Sequence, residues 1–363
     1  MRMIARLGRQ EMMALVESRA GLLDHAENPF ATAAWTSHLL EQVARDDWQF
    51  WVAGTDEAAL LLFTAPEASA QPAALTNYYA SLFSPFAGAA EALDSDVSKR
   101  MMRDLTDARP ALATVSLAPI SLADADACTA AFNAAGWITR RYACFGNWHL
   151  PCEGLGFDAY MAARPSQTLN TWARKAKKFK PEGSERLQLV TESDDLAAAL
   201  HAYNQVYAKS WKQPEPYPDF VPGWAAICAQ RGWLRLGIAW SGSTPIAAQF
   251  WFTINRRAYI FKLAYDQAFS QLSAGTVLSA FMFRHALDID QVIEVDYLTG
   301  DDPYKQSWMT HRRERVGVIA CNPRTWQGAA RAAYELIGAA RQGLGRRART
   351  ALAARRSLVS GGS

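Results

Sequence analysis

A turn of four small residues lies between a strand-like run of aromatic and branched residues and a helical pattern: Ser273, Ala274, Gly275 and Thr276. Such a turn at a helix N-terminus presents unpaired backbone N–H groups and the positive end of the helix dipole, which together bind phosphate or pyrophosphate. The turn therefore indicates a site for a phosphate-bearing ligand. A simpler interpretation is that Ser273 caps the helix and Gly275 permits close packing, because serine is a common N-cap residue.

Cysteine and histidine chemistry is poorly supported. No CxxC pair and no Cys/His ligand spacing occurs among the five cysteines, which are Cys128, Cys144, Cys152, Cys228 and Cys321. This pattern argues against a metal site or a disulfide framework, and we interpret the cysteines as small core residues. No histidine pairs with a serine or cysteine in a recognisable catalytic motif. The sequence thus predicts no metal cofactor.

Two further groups of residues could contact ligands. Arg174 and Lys175 belong to a basic run that suggests contact with an anion, although a solvated helix face is the simpler interpretation. Several tryptophans could stack on sugar rings, but such residues are more often core, because aromatic side chains dominate buried area. These are Trp211, Trp224, Trp233, Trp240, Trp251 and Trp308.

The elements that must position these residues occur twice in the same order. Hydrophobic periodicity in the second half predicts a strand, two helices, three strands, a helix and a strand. They cover 187–192, 194–211, 220–231, 233–240, 245–254, 257–265, 274–288 and 292–299. Between the halves, 166–179 is predicted as a helix that is basic on one side and ends before Pro181.

The first half begins with the same order and then adds a further helix and strand. Its predicted elements are 3–7, 11–21, 31–44, 48–54, 59–65, 75–82, 97–107, 113–118, 123–135 and 137–148. NPFATAAW from position 28 also resembles PDFVPGWA from position 218, so a shift of about 190 residues superposes the halves. We interpret this as a duplication, with domains at 1–155 and 156–325 and a basic tail at 326–363.

From about position 160 to 320 the sequence resembles the GNAT superfamily of acyltransferases, specifically its FemABX-like and CelD-like branch, associated with cellulose and cell-envelope polysaccharide biosynthesis. The matching segments are SQTLNTWARKAKKF, GWLRLGIAWSGSTPIAAQF, AYDQAFSQLSAGTVL and VDYLTGDDPYKQSW. The resemblance implies an α/β (α+β) fold of two tandem GNAT-like domains, each a mixed, mostly antiparallel sheet flanked by helices. It also implies an acyl-CoA co-substrate, with acetyl-CoA as the favoured one. The implied acceptor is an amine or hydroxyl on a sugar, amino sugar or polysaccharide precursor.

The resemblance also assigns ligand-binding residues. It places the acyl donor at the turn formed by Gln271, Ser273, Ala274, Gly275 and Thr276. In the superfamily at large, two residues separate the Arg or Gln from the glycine of this turn. Here three residues separate Gln271 from Gly275, so the spacing departs from that pattern. By the resemblance, substrate contacts fall on Tyr265, Asp296 and Trp308. Arg174 and Lys175, from the basic run described above, are the candidate basic contacts.

Acyl transfer from a thioester requires a polarised carbonyl, a nucleophile that loses its proton and a proton for the departing sulfur. Backbone N–H groups of the strand from Lys262 to Tyr265 are our candidates to polarise the carbonyl. Asp266 could act as base or hold the acceptor, or it could only close the turn after its strand. Tyr304 could protonate the thiolate, as a phenol with an ordinary pKa of about 10 can, or form part of the core.

Lys305 follows the sharp turn GDDPY and is a candidate clamp for phosphate or acceptor. The alternative is a salt bridge to Asp301 or Asp302, which would contribute little. Asp296 lies in a predicted central strand, where an unpaired carboxylate would be costly. We therefore expect Asp296 to be paired, with Lys305 or Arg257, or to face the cleft.

Two other functions remain open: a FemABX-type aminoacyltransferase that uses aminoacyl-tRNA, and a non-catalytic scaffold of polysaccharide biosynthesis. The first half lacks an equivalent of the small-residue turn, so we expect it to shape the acceptor cleft. A net charge of +3 is too small to argue for a nucleic-acid partner, and tRNA enters only with the first alternative. No apolar segment of signal-peptide or membrane-spanning length occurs, which predicts a cytoplasmic protein, with peripheral membrane contact left open by the tail.

The tail is strongly polarised in charge. Among residues 328–363 a single acid, Glu335, accompanies seven arginines, which are Arg331, Arg341, Arg346, Arg347, Arg349, Arg355 and Arg356. If the tail is helical, Leu344, Ala348 and Leu352 share one side, the pattern of a weak interfacial helix attracted to anionic lipid. A solvated extension is the alternative.

Overall fold

The computed structural model describes residues 3–24, 28–54, 59–64, 71–85 and 95–338. Within these residues the strands form one twelve-stranded sheet in the order β1-β2-β3-β4-β5-β12-β6-β11-β10-β9-β8-β7. The strands are β1 (Met3–Leu7), β2 (Gln49–Gly54), β3 (Ala59–Thr64), β4 (Ala73–Ala74), β5 (Thr114–Ile120), β6 (Ile138–Pro151), β7 (Glu185–Val190), β8 (Leu234–Ser241), β9 (Thr244–Ile254), β10 (Arg257–Tyr265), β11 (Glu294–Asp296) and β12 (His311–Cys321).

Helices flank this mixed, mostly antiparallel sheet, which is the predicted fold class. They are α1 (Arg9–Ser18), α2 (Ala20–Leu23), α3 (Ala33–Gln42), α4 (Ser95–Ala108), α5 (Leu122–Ala134), α6 (Phe157–Ala162), α7 (Ser166–Lys175), α8 (Leu196–Ala208), α9 (Phe220–Gln230), α10 (Ala274–Arg284) and α11 (326–338). No helix in these residues is long and apolar enough to span a bilayer.

The two halves exchange their last long strands. β12, near the end of the second half, pairs with β5 of the first half, and β6 of the first half pairs with β11 of the second. β12 and β6 also pair with each other along their length, from His311 opposite His149 to Cys321 opposite Ile138. The sheet is therefore continuous across the predicted boundary near residue 155.

The core forms three clusters of buried side chains. One lies under the first half, and another packs α10 against β8 to β10 in the second half. The remaining cluster takes side chains from both halves, among them Phe30 and Trp35 from the first and Phe220 and Trp224 from the second. Apolar packing thus joins the halves on one face, in addition to the strand exchange.

Three predicted elements differ from the structure. No strand forms at 75–82, where one was predicted; the strand nearby is Ala73–Ala74, and the Asn77 side chain then accepts hydrogen bonds from the N–H groups of Tyr79 and Ala80 and forms a turn. The helix predicted at 274–288 leaves the α-helical pattern after Arg284 and continues as a π-helical turn, His285–Ile289. The strand predicted at 292–299 is only Glu294–Asp296, because Leu298 adopts a left-handed φ of 54°.

β12 was not predicted at all. Its first four residues, His311, Arg312, Arg313 and Glu314, are polar or charged, so the segment begins without the alternation of apolar and polar residues that reveals a half-buried strand. Apolar residues follow from Val316 onward and are buried against β5 and β6. This unpredicted strand matters because it carries an arginine of the site described next.

Candidate functional site

A gap opens in the sheet where β10 and β11 separate. The two strands pair in parallel only from Arg257 opposite Glu294 to Tyr259 opposite Asp296, and β10 then continues alone on this edge to Tyr265. The Asp296 carboxylate fixes the point of separation, because its Oδ1 accepts the Leu298 N–H at 2.6 Å and turns the chain away. This gap is where the sheet can admit a ligand.

Alternate residues of β10 direct their backbone N–H and C=O groups toward the gap. The Asp266 N–H donates to the Ile246 carbonyl of β9 at 2.9 Å, and in an antiparallel pair alternate residues direct their backbone groups to the same neighbour. Leu263 and Tyr265 therefore direct their N–H and C=O groups away from β9, toward the gap. These groups can polarise a carbonyl placed there, as expected for this strand.

A cavity of about 670 Å³, called here the main cavity, lies on one face of the gap. Its walls come from α7 through Thr168 and Thr171, from α10 through Gly275, and from β10 through Leu263 and Tyr265. This volume falls within the roughly 300–1,000 Å³ typical of small-molecule and cofactor sites. The main cavity is thus large enough for a cofactor-sized ligand.

The small-residue turn lies at one end of the main cavity. Ser273, Ala274, Gly275 and Thr276 line a pocket of about 240 Å³, the turn pocket, which shares Tyr265, Gly275 and Thr276 with the main cavity. α10 begins at Ala274, so the unpaired N–H groups of its first turn lie beside this pocket.

The structure gives no support to the simpler interpretation of this turn. Ser273 adopts a left-handed conformation (φ 52°, ψ 37°), and its side chain makes no capping hydrogen bond to α10. A Cβ added to Gly275 would lie 3.6 Å from Cδ1 of Tyr265, an ordinary contact, so packing within the protein does not demand glycine. The role of these small residues in binding a ligand stays a prediction.

The other residues predicted near the donor lie around the turn rather than in it. Gln271 is exposed, and its backbone carbonyl accepts a hydrogen bond from Lys175 Nζ at 2.5 Å. Lys175 therefore ties α7 to the segment before the turn. Arg174 is exposed on α7 and is not among the residues that line the main cavity.

Asp266 lines the turn pocket and is buried. Its Oδ1 accepts the Ala268 N–H at 2.9 Å and begins the 3₁₀ turn Gln267–Leu272, while its Oδ2 lies 3.8 Å from Lys209 Nζ. The carboxylate thus closes the turn after β10, which was one of the two interpretations. Its role as base or acceptor contact stays a prediction.

Lys305 is buried and holds the loop after β11. Its ammonium donates to the carbonyls of Thr299 at 2.5 Å and Gly300 at 3.2 Å, and lies 3.5 Å from Asp302 Oδ2. Burial lowers the pKa of Lys305, while Asp302 acts in the opposite direction. These contacts make Lys305 a positioning residue for the wall of the gap, and a direct catalytic role stays a prediction.

Tyr304 lies where the gap meets the main cavity. Its ring packs edge to face against Tyr297, with ring centroids 5.7 Å apart. Burial, and then the Asp302 carboxylate, raise the pKa of the Tyr304 phenol above its ordinary value. The phenol is therefore protonated at neutral pH and is a weaker acid than an exposed tyrosine, so its role as proton donor stays a prediction.

Asp296 is paired, but its partner differs from both expected cations. Its Oδ2 forms an ion pair with Arg313 of β12, and its Oδ1 accepts a hydrogen bond from Asn147 of β6 at 2.6 Å. Lys305 instead contacts Asp302. Asp296 is thus an anchor that joins β11 to the two exchanged strands, and its predicted contact with substrate stays a prediction.

Aromatic side chains border the main cavity. Trp308 is buried and stacks on Phe283, with ring planes 4° apart, so its role is largely in the core. Tyr265 and Trp211 are 36% and 48% exposed, and their ring centroids lie 4.8 Å apart at the cavity wall. These two exposed rings, together with that of Tyr304, offer aromatic surface to a ligand.

Gln249 is a cavity residue that the sequence analysis missed. It is buried in β9, and its Nε2 donates to Ser279 Oγ at 2.7 Å and to the Gly275 carbonyl at 3.3 Å. Its Oε1 accepts from Trp251 Nε1 at 2.9 Å. A single amide inside the apolar run PIAAQFWF was the available signal. Gln249 holds the first turn of α10 against the sheet.

A second pocket lies on the other side of the gap. It measures about 230 Å³ and is called here the lysine pocket, because Lys212, Lys262 and Lys305 line it, together with Tyr78 and Tyr79 of the first half. It shares Leu263, Tyr297 and Tyr304 with the main cavity. The gap therefore has a cavity on each side, a large one and a small one.

The described ranges contain no evident metal-binding site. No group of three or more histidine, cysteine, aspartate or glutamate side chains in these ranges is arranged to hold a metal ion. The free cysteines are mostly buried, as Cys128 and Cys228 illustrate, and burial raises the pKa of the Cys228 thiol.

Residues 166–306 match the family described as acetyltransferase (GNAT) domain. No curated protein sequence matches the chain. Among solved structures, a conserved protein of unknown function from Bacteroides thetaiotaomicron is similar, with a TM-score of 0.57, 13% identity, and coverage of 89% of this chain and 100% of that one.

Two further solved structures have related folds. FemX gives a TM-score of 0.57 at 9% identity and covers 88% of this chain and 96% of its own. The C-terminal domain of a putative lysylphosphatidylglycerol synthetase from Agrobacterium fabrum gives 0.54 at 12% identity and covers 90% and 96%. At these identities the likeness concerns the fold alone.

Proposed function

We propose that this chain is an acyltransferase that moves an acyl group from acyl-CoA to an amine or hydroxyl. Acetyl is the acyl group that we favour. The proposal rests on one observation, which is that the segment matched by the family model overlaps the candidate site. The matched GNAT segment, residues 166–306, contains the small-residue turn, the β10 edge and nearly all residues that line the main cavity. The family match and the geometry thus point to the same surface.

The residues of this surface suit acyl-CoA. The N–H groups at the start of α10 and the space above Gly275 suit a pyrophosphate, while Lys209 and Lys175 supply positive charge nearby. The gap suits the narrow arm that carries the thioester. Leu263 and Tyr265 would then direct backbone N–H groups at the thioester carbonyl.

Transfer forms a bond from the acceptor nitrogen or oxygen to the acyl carbon and breaks the carbon–sulfur bond. The nucleophile loses a proton and the sulfur gains one. Tyr304 lies between the two pockets, so its phenol can give a proton to the sulfur and regain one from the nucleophile. Asp266 is the alternative base, at the turn-pocket end of the site.

For the acceptor we favour a sugar, amino sugar or envelope polysaccharide precursor. Support for this comes from the sequence motifs of the FemABX-like and CelD-like branch. The domain division at about residue 155, with the first half shaping the acceptor side, agrees with Tyr78 and Tyr79 lining the lysine pocket.

Titration calorimetry of the full chain with CoA, acetyl-CoA and longer acyl-CoAs tests the donor. We expect CoA species to bind and the preferred acyl chain to bind most tightly. Binding of aminoacyl-tRNA without binding of CoA would replace the proposal with aminoacyl transfer. Absence of binding by either donor would leave the scaffold function.

We also propose peripheral contact with anionic membranes through the C-terminal segment. The inner side of α11 is anchored by the ion pair of Glu335 with Arg140 at 2.6 Å. Its outer side exposes Trp326 and Tyr334, which are 79% and 70% accessible, and Ile337. An apolar face followed by an arginine-rich sequence suits an anionic lipid surface. The predicted helix with Leu344, Ala348 and Leu352 lies outside the described residues.

A further inference from the structure

The lysine pocket holds more positive charge than its own carboxylates neutralise. Three lysines line it, on the side of the gap opposite the main cavity. The proposed function places the acyl donor in the main cavity and the acceptor here. The inference below rests on that placement and concerns the chemical class of the acceptor.

Two of the three ammonium groups are matched within the protein. Lys262 pairs with Glu215 at 2.6 Å, and both side chains are about nine-tenths buried. Lys305 contacts Asp302 and the backbone carbonyls of the loop after β11. Neither lysine therefore needs a ligand to neutralise or solvate its charge.

Lys212 differs from them. Within the described residues its ammonium forms no hydrogen bond or ion pair, and its contact is the Trp211 ring, with Nζ 5.9 Å from the centroid. Burial first, and then the nearby charge of Lys262, lower the pKa of Lys212 to about 8. The Glu215 and Asp302 carboxylates raise this pKa in turn, but within the described residues neither forms an ion pair with Lys212. A partly buried cation without such a pair is unfavourable, and an anion placed beside it would relieve that cost.

The size of the pocket limits what it can take. Its volume of about 230 Å³ is below the range of roughly 300–1,000 Å³ that holds a whole small-molecule ligand, so it suits one end of a molecule. The rest of that molecule would pass Tyr304, which lines both spaces, and reach the gap. The nucleophile of the acceptor would then lie a few bonds from the group held by Lys212.

We propose that the lysine pocket binds the anionic end of the acyl acceptor, a carboxylate or phosphate, through an ion pair with Lys212. The acceptor is accordingly an acidic small molecule or the acidic end of a larger one. Tyr78 and Tyr79 flank the bound anion from the first half, and their rings lie 5.3 and 4.7 Å from Lys262 Nζ. Both halves thus contribute to acceptor recognition.

The test uses the full chain and two simple probes, ¹³C-acetate and inorganic phosphate, observed by NMR line broadening at pH 7. The two probes distinguish a carboxylate from a phosphate site. Each titration is run without and with saturating CoA, so that phosphate bound at the small-residue turn is recognised by its displacement. Variants are Lys212→Met, Lys212→Arg and, as a matched control, Lys99→Met on α4.

We expect at least one probe to bind in the presence of CoA, and Lys212→Met to weaken that binding about tenfold or more, the scale of a lost charge-assisted contact. Lys212→Arg should keep most of the affinity, and Lys99→Met all of it. Equal binding by wild type and Lys212→Met, displacement of both probes by CoA, or no binding by wild type would overturn the inference. Failure of CoA to bind would count against the proposed donor and leave the probe titrations interpretable.

Discussion

Trp35 and Trp224 contact each other edge to face, with ring centroids 4.8 Å apart and ring planes at 83°. Their separation in sequence nearly equals the shift of about 190 residues that superposes the two halves. The two tryptophans therefore bring similar segments of the two halves into contact, where α3 meets α9.

This contact leads to a prediction about stability. Both indoles are fully buried, so Trp35→Ala and Trp224→Ala should each lower the free energy of unfolding by about 3–5 kcal/mol. Neither indole N–H has a hydrogen-bond partner within the described residues, so Trp→Phe should cost clearly less. Denaturant unfolding of the four variants measures both effects. Equal losses for the Ala and Phe substitutions would contradict this account.

A second prediction concerns Gly275. Gly275→Trp should abolish CoA binding, because the indole would fill the space beside the start of α10. Gly275→Ala is the matched control for the fold, since its Cβ meets Tyr265 only at an ordinary 3.6 Å. Calorimetry gives the affinity and circular dichroism the fold. Unchanged CoA affinity in a folded Gly275→Trp protein would refute the donor site.

A third prediction concerns Asp266 and Lys305. Asp266→Asn keeps an oxygen for the Ala268 N–H, whereas Lys305→Ala leaves the Thr299 and Gly300 carbonyls without their donor. Each change should lower turnover about tenfold or more. Only Lys305→Ala should also lower the midpoint of thermal unfolding. Thiol release from acyl-CoA gives turnover, and near-normal rates in both variants would make the two residues purely structural.

A fourth prediction concerns pH. The pKa of Lys212 is lowered to about 8 without ligand, and a bound anion must raise it, because the anion favours the charged form. Anion affinity should therefore be full below about pH 8 and fall as the pH rises above that value. The other titratable groups that line the pocket are Lys262, Lys305, Asp302, Tyr78, Tyr79, Tyr297 and Tyr304, and Glu215 faces it through its ion pair with Lys262. Repeating the titrations from pH 6.5 to 9.5 measures the trend, and an affinity that rises with pH would be incompatible with it.

A fifth prediction concerns the tail. The full chain should co-sediment with anionic vesicles more than with neutral ones, and a chain ending at Ala340 should lose most of this difference, because each basic residue contributes on the order of 1 kcal/mol. Added salt should weaken the attraction. Equal recovery of both chains in the anionic pellet, or no salt dependence, would exclude the arginine-rich segment as the cause.

The sequence predicted the hairpin strands β8 to β10 and the small-residue turn well, because alternating apolar residues and tight turns are local signals. It did not predict that Asp296 pairs with Arg313. That pairing depends on β12 lying beside β6, a contact between distant segments that local periodicity does not encode. The lysine pocket was missed for the same reason, because Lys212 lies in a loop and Lys262 in a strand.

The exchange of β6 and β12 makes the two halves mutually dependent for folding. Cutting the chain near residue 155 would leave each fragment without a strand that its own sheet edge requires, and exposed edges of this kind promote aggregation. The halves should therefore unfold in a single cooperative transition. They should be recovered as soluble protein only when both fragments are produced together, as complementing pieces of one molecule.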